Sequence, residues 1–153
     1  METMDALIYK ILASLNSGVF FFFISDVRNK NAKPLIKQPW IGILRVLYPL
    51  SPLCFVFFLW KADSFSLLDW LALGLMIFGT TIVISAKVEL GKNHSWTGYS
   101  TTNVTAFSRT GVYQYVRHPL YVGIALAVIG TAVVVFQRIS INPLVFGIYM
   151  VGM

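Results

Sequence analysis

Residues 65–88, FSLLDWLALGLMIFGTTIVISAKV, are apolar along almost their whole length. They contain two charged side chains, Asp69 near the start and Lys87 near the end. A helix rises about 1.5 Å per residue, so about 20 apolar residues cross the roughly 30 Å hydrocarbon core of a bilayer. The pattern therefore predicts a helix that spans a membrane.

Further apolar runs flank this segment on both sides. They cover approximately residues 6–24, 40–60, 119–136 and 139–153. The chain has 153 residues, of which 57% are hydrophobic and 12% charged, whereas an ordinary soluble domain is about 25% charged. We predict an all-α fold, a polytopic integral membrane helical bundle that forms a single domain over residues 1–153, with about five transmembrane helices.

The fifth helix is predicted to be incomplete. Residues 139–153 reach only about 22 Å at the usual rise per residue, which is less than the thickness of the hydrocarbon core. A chain terminus inside that core would carry a charge that is expensive to bury. Either this segment is a short re-entrant or tilted piece, or the natural chain continues beyond Met153, and we expect the second.

Basic residues are concentrated in alternate connections between the apolar runs. The connection after the first run and the connection after the third run contain Arg28, Lys30, Lys33, Lys37, Lys87, Lys92, Arg109 and Arg117. Cytoplasmic loops carry an excess of Lys and Arg, so we expect the N-terminus outside and the connection at 89–118 in the cytoplasm. The net charge of +6 is then explained by topology and lipid headgroups, not by nucleic acid. A bacterial inner membrane and the endoplasmic reticulum both fit this topology.

The connection at 89–118 is the candidate site, because it is the long polar stretch of the chain and contains both histidines, His94 and His118. Long loops between helices are usually functional or disordered. The connection leads into GVYQYVRHPLYVG, residues 111–123. Pro119 suits the first position of a helix, and a residue before proline avoids the helical region, so we expect His118 at the helix start.

A helix start at Pro119 would form a binding site for charged groups. The positive end of the helix dipole, together with Arg117, favours a carboxylate or phosphate. Tyr121, three residues after His118, can lie on the same face and meet a cation through its ring. These residues suit a ligand that carries both an anion and a cation.

The same residues also have simpler interpretations, and other kinds of site do not fit them. Arg and Tyr at a helix entrance are common interface anchors, and Glu89 is either a ligand contact or a partner of Lys92. Asp69 and Arg45 can reach the interface, and no chemistry is assigned to them. The two histidines, the distant Cys54 and one loop carboxylate do not form a zinc ligand set. No P-loop or dinucleotide motif is present, and no acid lies near His118 for Ser-His-Asp catalysis.

Residues 111–123, with Leu90-Gly91 and Ser95-Trp96 before them, resemble the isoprenylcysteine carboxyl methyltransferase family and its relatives among membrane phospholipid methyltransferases. The resemblance covers about residues 85–153, and its core is Arg-His-Pro-x-Tyr. It implies an S-adenosylmethionine-dependent methyltransferase with Arg117 and His118 as catalytic residues. The cofactor contacts that it implies are Leu90, Gly91, Trp96, Tyr113, Arg117, His118, Tyr121 and Gly123.

Family members continue into an acidic Glu-Glu segment and a basic tail that contains tyrosine, and this chain stops before both. The resemblance therefore implies that part of the active site lies beyond Met153. On this basis the chain as it stands is expected to bind the cofactor poorly or to be inactive.

The charges of the cofactor and of the possible acceptors indicate which methyl transfer to expect. S-adenosylmethionine carries a carboxylate and a sulfonium cation, which is the pair of charges expected from the residues alone. A prenylcysteine carboxylate, with a pKa near 3.5, is ionised at neutral pH, so methyl transfer to it needs alignment more than a base. A phospholipid amine must first lose a proton. We therefore expect O-methylation of a prenylcysteine-type carboxylate, with phospholipid N-methylation as the alternative.

Two other functions remain open. An NADPH-dependent membrane sterol or enone reductase has a similar Arg-His and Tyr before a late helix, but Pro119 directly after His118 favours the methyltransferase. A non-enzymatic membrane scaffold is the other alternative, for which Gly123-x-x-x-Ala127 is a small-residue pattern that packs helices. The sequence gives no indication of the oligomeric state.

Overall fold

The computed structural model describes residues 4–25, 33–34, 52–91, 99–100 and 110–138. The helices are α1 at Met4–Ser25, α2 at residues 52–60, α3 at Leu67–Leu90 and α4 at Pro119–Arg138. A 3₁₀ turn at Gly111–Gln114 precedes α4. Lys33–Pro34 (β1) and Tyr99–Ser100 (β2) pair as a two-residue antiparallel ladder. Trp96, residues 40–51 of the second apolar run and the fifth run at 139–153 lie outside the described residues.

Three of these helices are long and apolar enough to cross a membrane: α1, α3 and α4. Their outer faces carry large exposed apolar side chains, such as Leu15, Phe22 and Phe78. A helix that exposes this much apolar surface is stable where lipid replaces water around it. The prediction of an all-α membrane bundle is confirmed.

Small residues bring α3 and α4 into direct contact. A Cβ atom on Gly79 would lie 2.6 Å from the carbonyl oxygen of Gly123 and 2.6 Å from the amide nitrogen of Ala127. A Cβ on Gly130 would lie 2.7 Å from the carbonyl oxygen of Ala72. We call Gly79, Gly123, Ala127 and Gly130 the small-residue seam. The prediction that the Gly123-x-x-x-Ala127 pattern packs helices is confirmed, and Gly130 extends it by another turn.

Helix α1 packs against the other helices through one buried stripe. Its buried residues recur every three or four positions, as one face of a helix requires, and they are Ala6, Tyr9, Lys10, Ala13 and Ser17. The Tyr9 ring stacks on Phe65 with 4.0 Å between ring centroids. Lys10 donates a hydrogen bond to the carbonyl oxygen of Trp60 at 3.2 Å, and this bond links α1 to α2.

A buried polar network closes one end of the bundle, which we call the Asp69 end. The hydroxyl of Ser66 accepts a hydrogen bond from the amide of Asp69, and the Asp69 carboxylate accepts one from the amide of Ser66 at 2.7 Å. This capping box starts α3 at Leu67, two residues after the predicted position. Arg138 at the end of α4 forms a salt bridge with Asp69 at 2.6 Å. The pair holds the start of α3 against the end of α4.

Lys87 links α1 to α3 at the opposite end of the bundle. Its side chain is fully buried and donates hydrogen bonds to the carbonyl oxygens of Phe23 and, at 3.5 Å, Ile24. The last carbonyls of a helix have no partner within the helix and favour a nearby cation. Lys87 therefore caps the end of α1 from α3, a role that its assignment to a basic loop did not anticipate.

Candidate functional site

The described residues of the predicted site lie at the end of the bundle opposite Asp69. They come from the last turn of α3, the 3₁₀ turn and the first turns of α4. We call this region the Glu89 end, after a carboxylate in the last turn of α3 that packs against the 3₁₀ turn. The antiparallel packing of α3 and α4 brings the end of one helix beside the start of the other.

Helix α4 begins at Pro119, as predicted. Pro119 is buried, and the carbonyl oxygen of His118 accepts a hydrogen bond from the amide of Val122 at 3.2 Å. His118 therefore stands immediately before the helix, which also agrees with the prediction. The first N–H groups of a helix have no partner within it and form its positive end. The start of α4 can thus attract an anion.

Arg117, His118 and Tyr121 are exposed around the start of α4. The rings of His118 and Tyr121 meet edge to face, with 6.1 Å between centroids and an interplanar angle of 63°. Tyr121 is 71% exposed despite this contact. These side chains are accessible to a ligand that approaches the end of the bundle.

Leu90 and Gly91 mark the end of α3. Leu90, predicted in the polar connection, is instead the last residue of α3, and it is half-buried. Gly91 has φ +53°, and its amide donates a hydrogen bond to the carbonyl oxygen of Lys87. Glycine adopts positive φ at little cost, so it is the usual residue where a helix ends in this way. A cofactor contact by either residue stays a prediction.

Gly123 lies in the small-residue seam. Its main chain packs so closely on α3 that a Cβ would lie 2.7 Å from the carbonyl oxygen of Gly79 and 2.9 Å from the Val83 side chain. This packing by itself requires a glycine at position 123. The predicted cofactor contact of Gly123 is not needed to explain the residue.

Glu89, which the sequence left open as a ligand contact or a partner of Lys92, lies at this end, and Lys92 lies outside the described residues. Its carboxylate packs directly against the α-carbon of Gly111, where φ is +51° and a Cβ would overlap the carboxylate. The Oε2 atom of Glu89 is buried and has no hydrogen-bond partner among the described residues. A signal was available in the sequence, because a carboxylate in the last turn of a helix is unfavourable beside the negative end of the dipole.

Tyr113 lies next to this carboxylate in the 3₁₀ turn. Burial raises the pKa of Tyr113 above its ordinary value, and the negative charge of Glu89 raises it further. The phenol therefore stays protonated at neutral pH and can donate a hydrogen bond. The structure thus brings Tyr113 together with Glu89.

The Glu89 end offers groups for both signs of charge. The start of α4 with Arg117 suits a carboxylate or phosphate, whereas Glu89 and the exposed ring of Tyr121 suit a cation. S-adenosylmethionine carries both kinds of charge, so the donor set of this end fits that cofactor.

Comparison with known proteins supports a membrane methyltransferase. A family model described as phospholipid methyltransferase matches residues 67–152, which include α3, the 3₁₀ turn and α4. No curated protein and no solved structure matches the chain. The narrower isoprenylcysteine carboxyl methyltransferase assignment stays a prediction. The family match covers more than half of the chain and runs through the Glu89 end, so the protein belongs to the phospholipid methyltransferase family.

Proposed function

We propose that this protein is an integral-membrane methyltransferase that uses S-adenosylmethionine to methylate a lipophilic acceptor at the Glu89 end. The observation that carries the proposal is the start of α4 at Pro119, where Arg117 and His118 are exposed beside the positive end of the helix. Family membership supports methyl transfer. The distribution of basic residues supports a cytoplasmic location for this end, with the N-terminus on the other side.

The residues of this end have distinct tasks in the proposed site. When bound, S-adenosylmethionine supplies a methyl group activated by its sulfonium charge. Arg117 and the N–H groups of the first turn of α4 bind the carboxylate of the cofactor. His118 and Tyr121 border the same position. The remaining proposed cofactor contacts are Leu90, Gly91, Trp96, Tyr113 and Gly123.

The proposed acceptor is a prenylcysteine-type carboxylate. Such a group is already ionised at neutral pH, so the protein needs to align the acceptor oxygen with the methyl group and to exclude water. The exposed apolar faces of α3 and α4 allow the hydrocarbon part of the acceptor to arrive from the lipid. The cofactor, which is polar, enters from the aqueous side.

A phospholipid amine is the second candidate acceptor, and the Glu89 carboxylate favours it. A negative group with an oxygen free of partners among the described residues attracts the ammonium of a lipid headgroup. That ammonium must lose a proton before it can accept a methyl group, and we assign the acceptance of this proton to His118, an imidazole at the same end. The description of the matching family also agrees with this acceptor.

Cofactor titration of the purified full-length natural protein in detergent tests the proposal. We expect saturable binding of S-adenosylmethionine, weakened about tenfold in His118→Ala by the loss of a hydrogen bond to a charged ligand. Asp63→Ala, at an exposed position of the Asp69 end, serves as the matched control and leaves binding unchanged. Absence of saturable binding, or equal binding by His118→Ala, would remove the proposal.

Radioactive methyl transfer to two acceptors then identifies the substrate class. A prenylated cysteine analogue and phosphatidylethanolamine are supplied separately in mixed micelles. Methylation of the first supports the carboxylate acceptor, and methylation of the second supports the amine acceptor. Stabilisation by NADPH in place of S-adenosylmethionine would instead indicate the reductase, and binding of neither would indicate the scaffold.

A further inference from the structure

The Glu89 carboxylate occupies an unfavourable position in two respects. It lies in the last turn of α3, where the negative end of the helix dipole repels it. Its Oε2 atom is buried without a hydrogen-bond partner in the described part of the chain, and burial of a carboxylate oxygen is costly unless a partner is supplied. A residue that served packing alone would be more stable as an apolar side chain.

The surrounding main chain is arranged to keep the carboxylate in place. Gly111 has φ +51° and no side chain, so the 3₁₀ turn approaches the carboxylate more closely than any other residue would allow. Tyr113, two residues later, flanks the same group. The carboxylate is therefore confined between the end of α3 and the turn that leads into α4, on the side of the bundle where α4 presents its positive end.

We propose that Glu89 binds the cationic group of the ligand in this site. The chemistry is that of an ammonium or sulfonium ion, which can come from the cofactor or from an amine acceptor. A cation there would pair with Oε2, which has no partner among the described residues, and would offset the repulsion from the end of α3. The inference rests on the proposed function, and it adds a residue that determines which ligand charge is accepted.

The arrangement matches a ligand with two opposite charges. The start of α4 attracts the negative group, while the end of α3 holds Glu89 for the positive one. Because the two helices are antiparallel and in contact through the small-residue seam, these oppositely charged positions lie at the same end of the bundle. A ligand that carries only an anion would satisfy one half of the site.

Glu89→Gln in the full chain is the principal test, because the amide has the same size and lacks the charge. Binding of S-adenosylmethionine and of S-adenosylhomocysteine is titrated in detergent, and KM is measured for phosphatidylethanolamine. Asp63→Asn, an exposed carboxylate at the other end, is the matched control. We expect Glu89→Gln to weaken at least one cationic ligand by about 10- to 100-fold, the usual effect of losing a charge-assisted hydrogen bond.

The three measurements distinguish the sources of the cation. Equal weakening of both cofactor forms assigns Glu89 to the ammonium that they share, and weakening of S-adenosylmethionine alone assigns it to the sulfonium. A raised KM for the amine, with cofactor binding unchanged, assigns it to the acceptor. All three results support the inference.

Other outcomes overturn it. If the unchanged protein binds cofactor and Glu89→Gln shows the same affinities and the same KM, Glu89 does not bind the cation, although the proposed function stands. If the unchanged protein binds no cofactor and methylates neither acceptor, both proposals fail.

Gly111→Ala provides a second variant in case Glu89→Gln does not fold. The added Cβ displaces the carboxylate without removing its charge. We expect it to weaken the same ligand as Glu89→Gln, and ligand affinity equal to that of the unchanged protein would contradict the inference.

Discussion

Helix α3 carries a carboxylate near each end, and the two have opposite surroundings. Asp69 lies in the first turn, where the helix dipole favours a negative charge, and it has Ser66, Gln137 and Arg138 as partners. Glu89 lies in the last turn, where the dipole disfavours the charge, and one of its oxygens is buried without a partner among the described residues. The same chemical group thus stabilises the bundle at one end, and at the other end we propose that it binds a ligand.

The largest expected effect is the loss of the Asp69 network. Asp69→Ala leaves the guanidinium of Arg138 partly buried without its counter-ion, and breaking one side of a buried ion pair typically costs about 3–5 kcal/mol. We expect the free energy of unfolding in detergent to fall by roughly this amount. Asp63→Ala, in the exposed segment nearby, should change it by no more than about 0.5 kcal/mol.

The double variant Asp69→Ala/Arg138→Ala tests whether the two residues stabilise the fold as a pair. Removal of both partners leaves no unpaired charge, so its cost should be smaller than the sum of the two single costs. Additive costs would show that Asp69 does not depend on Arg138. The stabilising role of Asp69 as a partner of Arg138, on which the comparison of the two ends of α3 depends, would then be wrong.

An intermediate effect is expected between the two ends, at the small-residue seam. Gly79→Ala places a methyl group against the main chain of α4, and overpacking of this kind costs about 1–3 kcal/mol. Gly74→Ala is the matched control in the same helix, because its Cβ would meet nothing within 4 Å. We expect the control to be neutral or to stabilise the helix by about 0.5–1 kcal/mol.

Unfolding free energies in detergent measure both glycine variants. Cofactor affinity is measured alongside them, since the seam fixes the start of α4 relative to the end of α3. Equal stabilities of the two variants would show that α3 and α4 do not touch through their main chains at this level.

The smallest expected effect is a pH dependence at the Glu89 end. The pKa of folded Tyr113 is raised by burial first and by Glu89 second, so its contribution to stability is present below the ordinary tyrosine pKa of about 10. The contribution is lost as the pH rises through the folded value. We expect the unchanged protein to lose stability above about pH 10 more steeply than Tyr113→Phe, as measured by unfolding at a series of pH values.

Glu89→Gln separates the two causes of this shift. It removes the charge but not the burial, so the pKa of Tyr113 should fall while staying above its ordinary value. Ultraviolet titration of the phenol, with Tyr113→Phe as the blank, measures this change. An unaltered titration midpoint would mean that the carboxylate does not face Tyr113.

Local features of the fold were predictable from the sequence. Pro119 marks the start of α4 because a proline fits the first helical position and restricts the residue before it. The start of α3 could also be predicted, since Ser66-x-x-Asp69 has the spacing of a capping box. The apolar run alone placed this start two residues too early. Chemistry within one turn of the chain is sufficient for such predictions.

Contacts between distant segments were not predictable in the same way. Arg138 and Asp69 are 69 residues apart, and they meet only because the small-residue seam sets the register of α3 against α4. Lys87 was assigned to a loop because nothing in the neighbouring sequence indicates its partners, which belong to α1. Gly123 fits both a cofactor motif and a helix contact, and the sequence does not separate the two roles.

The small-residue seam also determines how the protein would respond to bilayers of different thickness. Helices adapt to a thinner or thicker hydrocarbon core mainly by tilting. Because Gly79 and Gly123 join the two main chains without an intervening side chain, α3 and α4 would tilt together as one body. The separation between the end of α3 and the start of α4 would then be the same in thin and thick membranes, and so would the affinity for the cofactor.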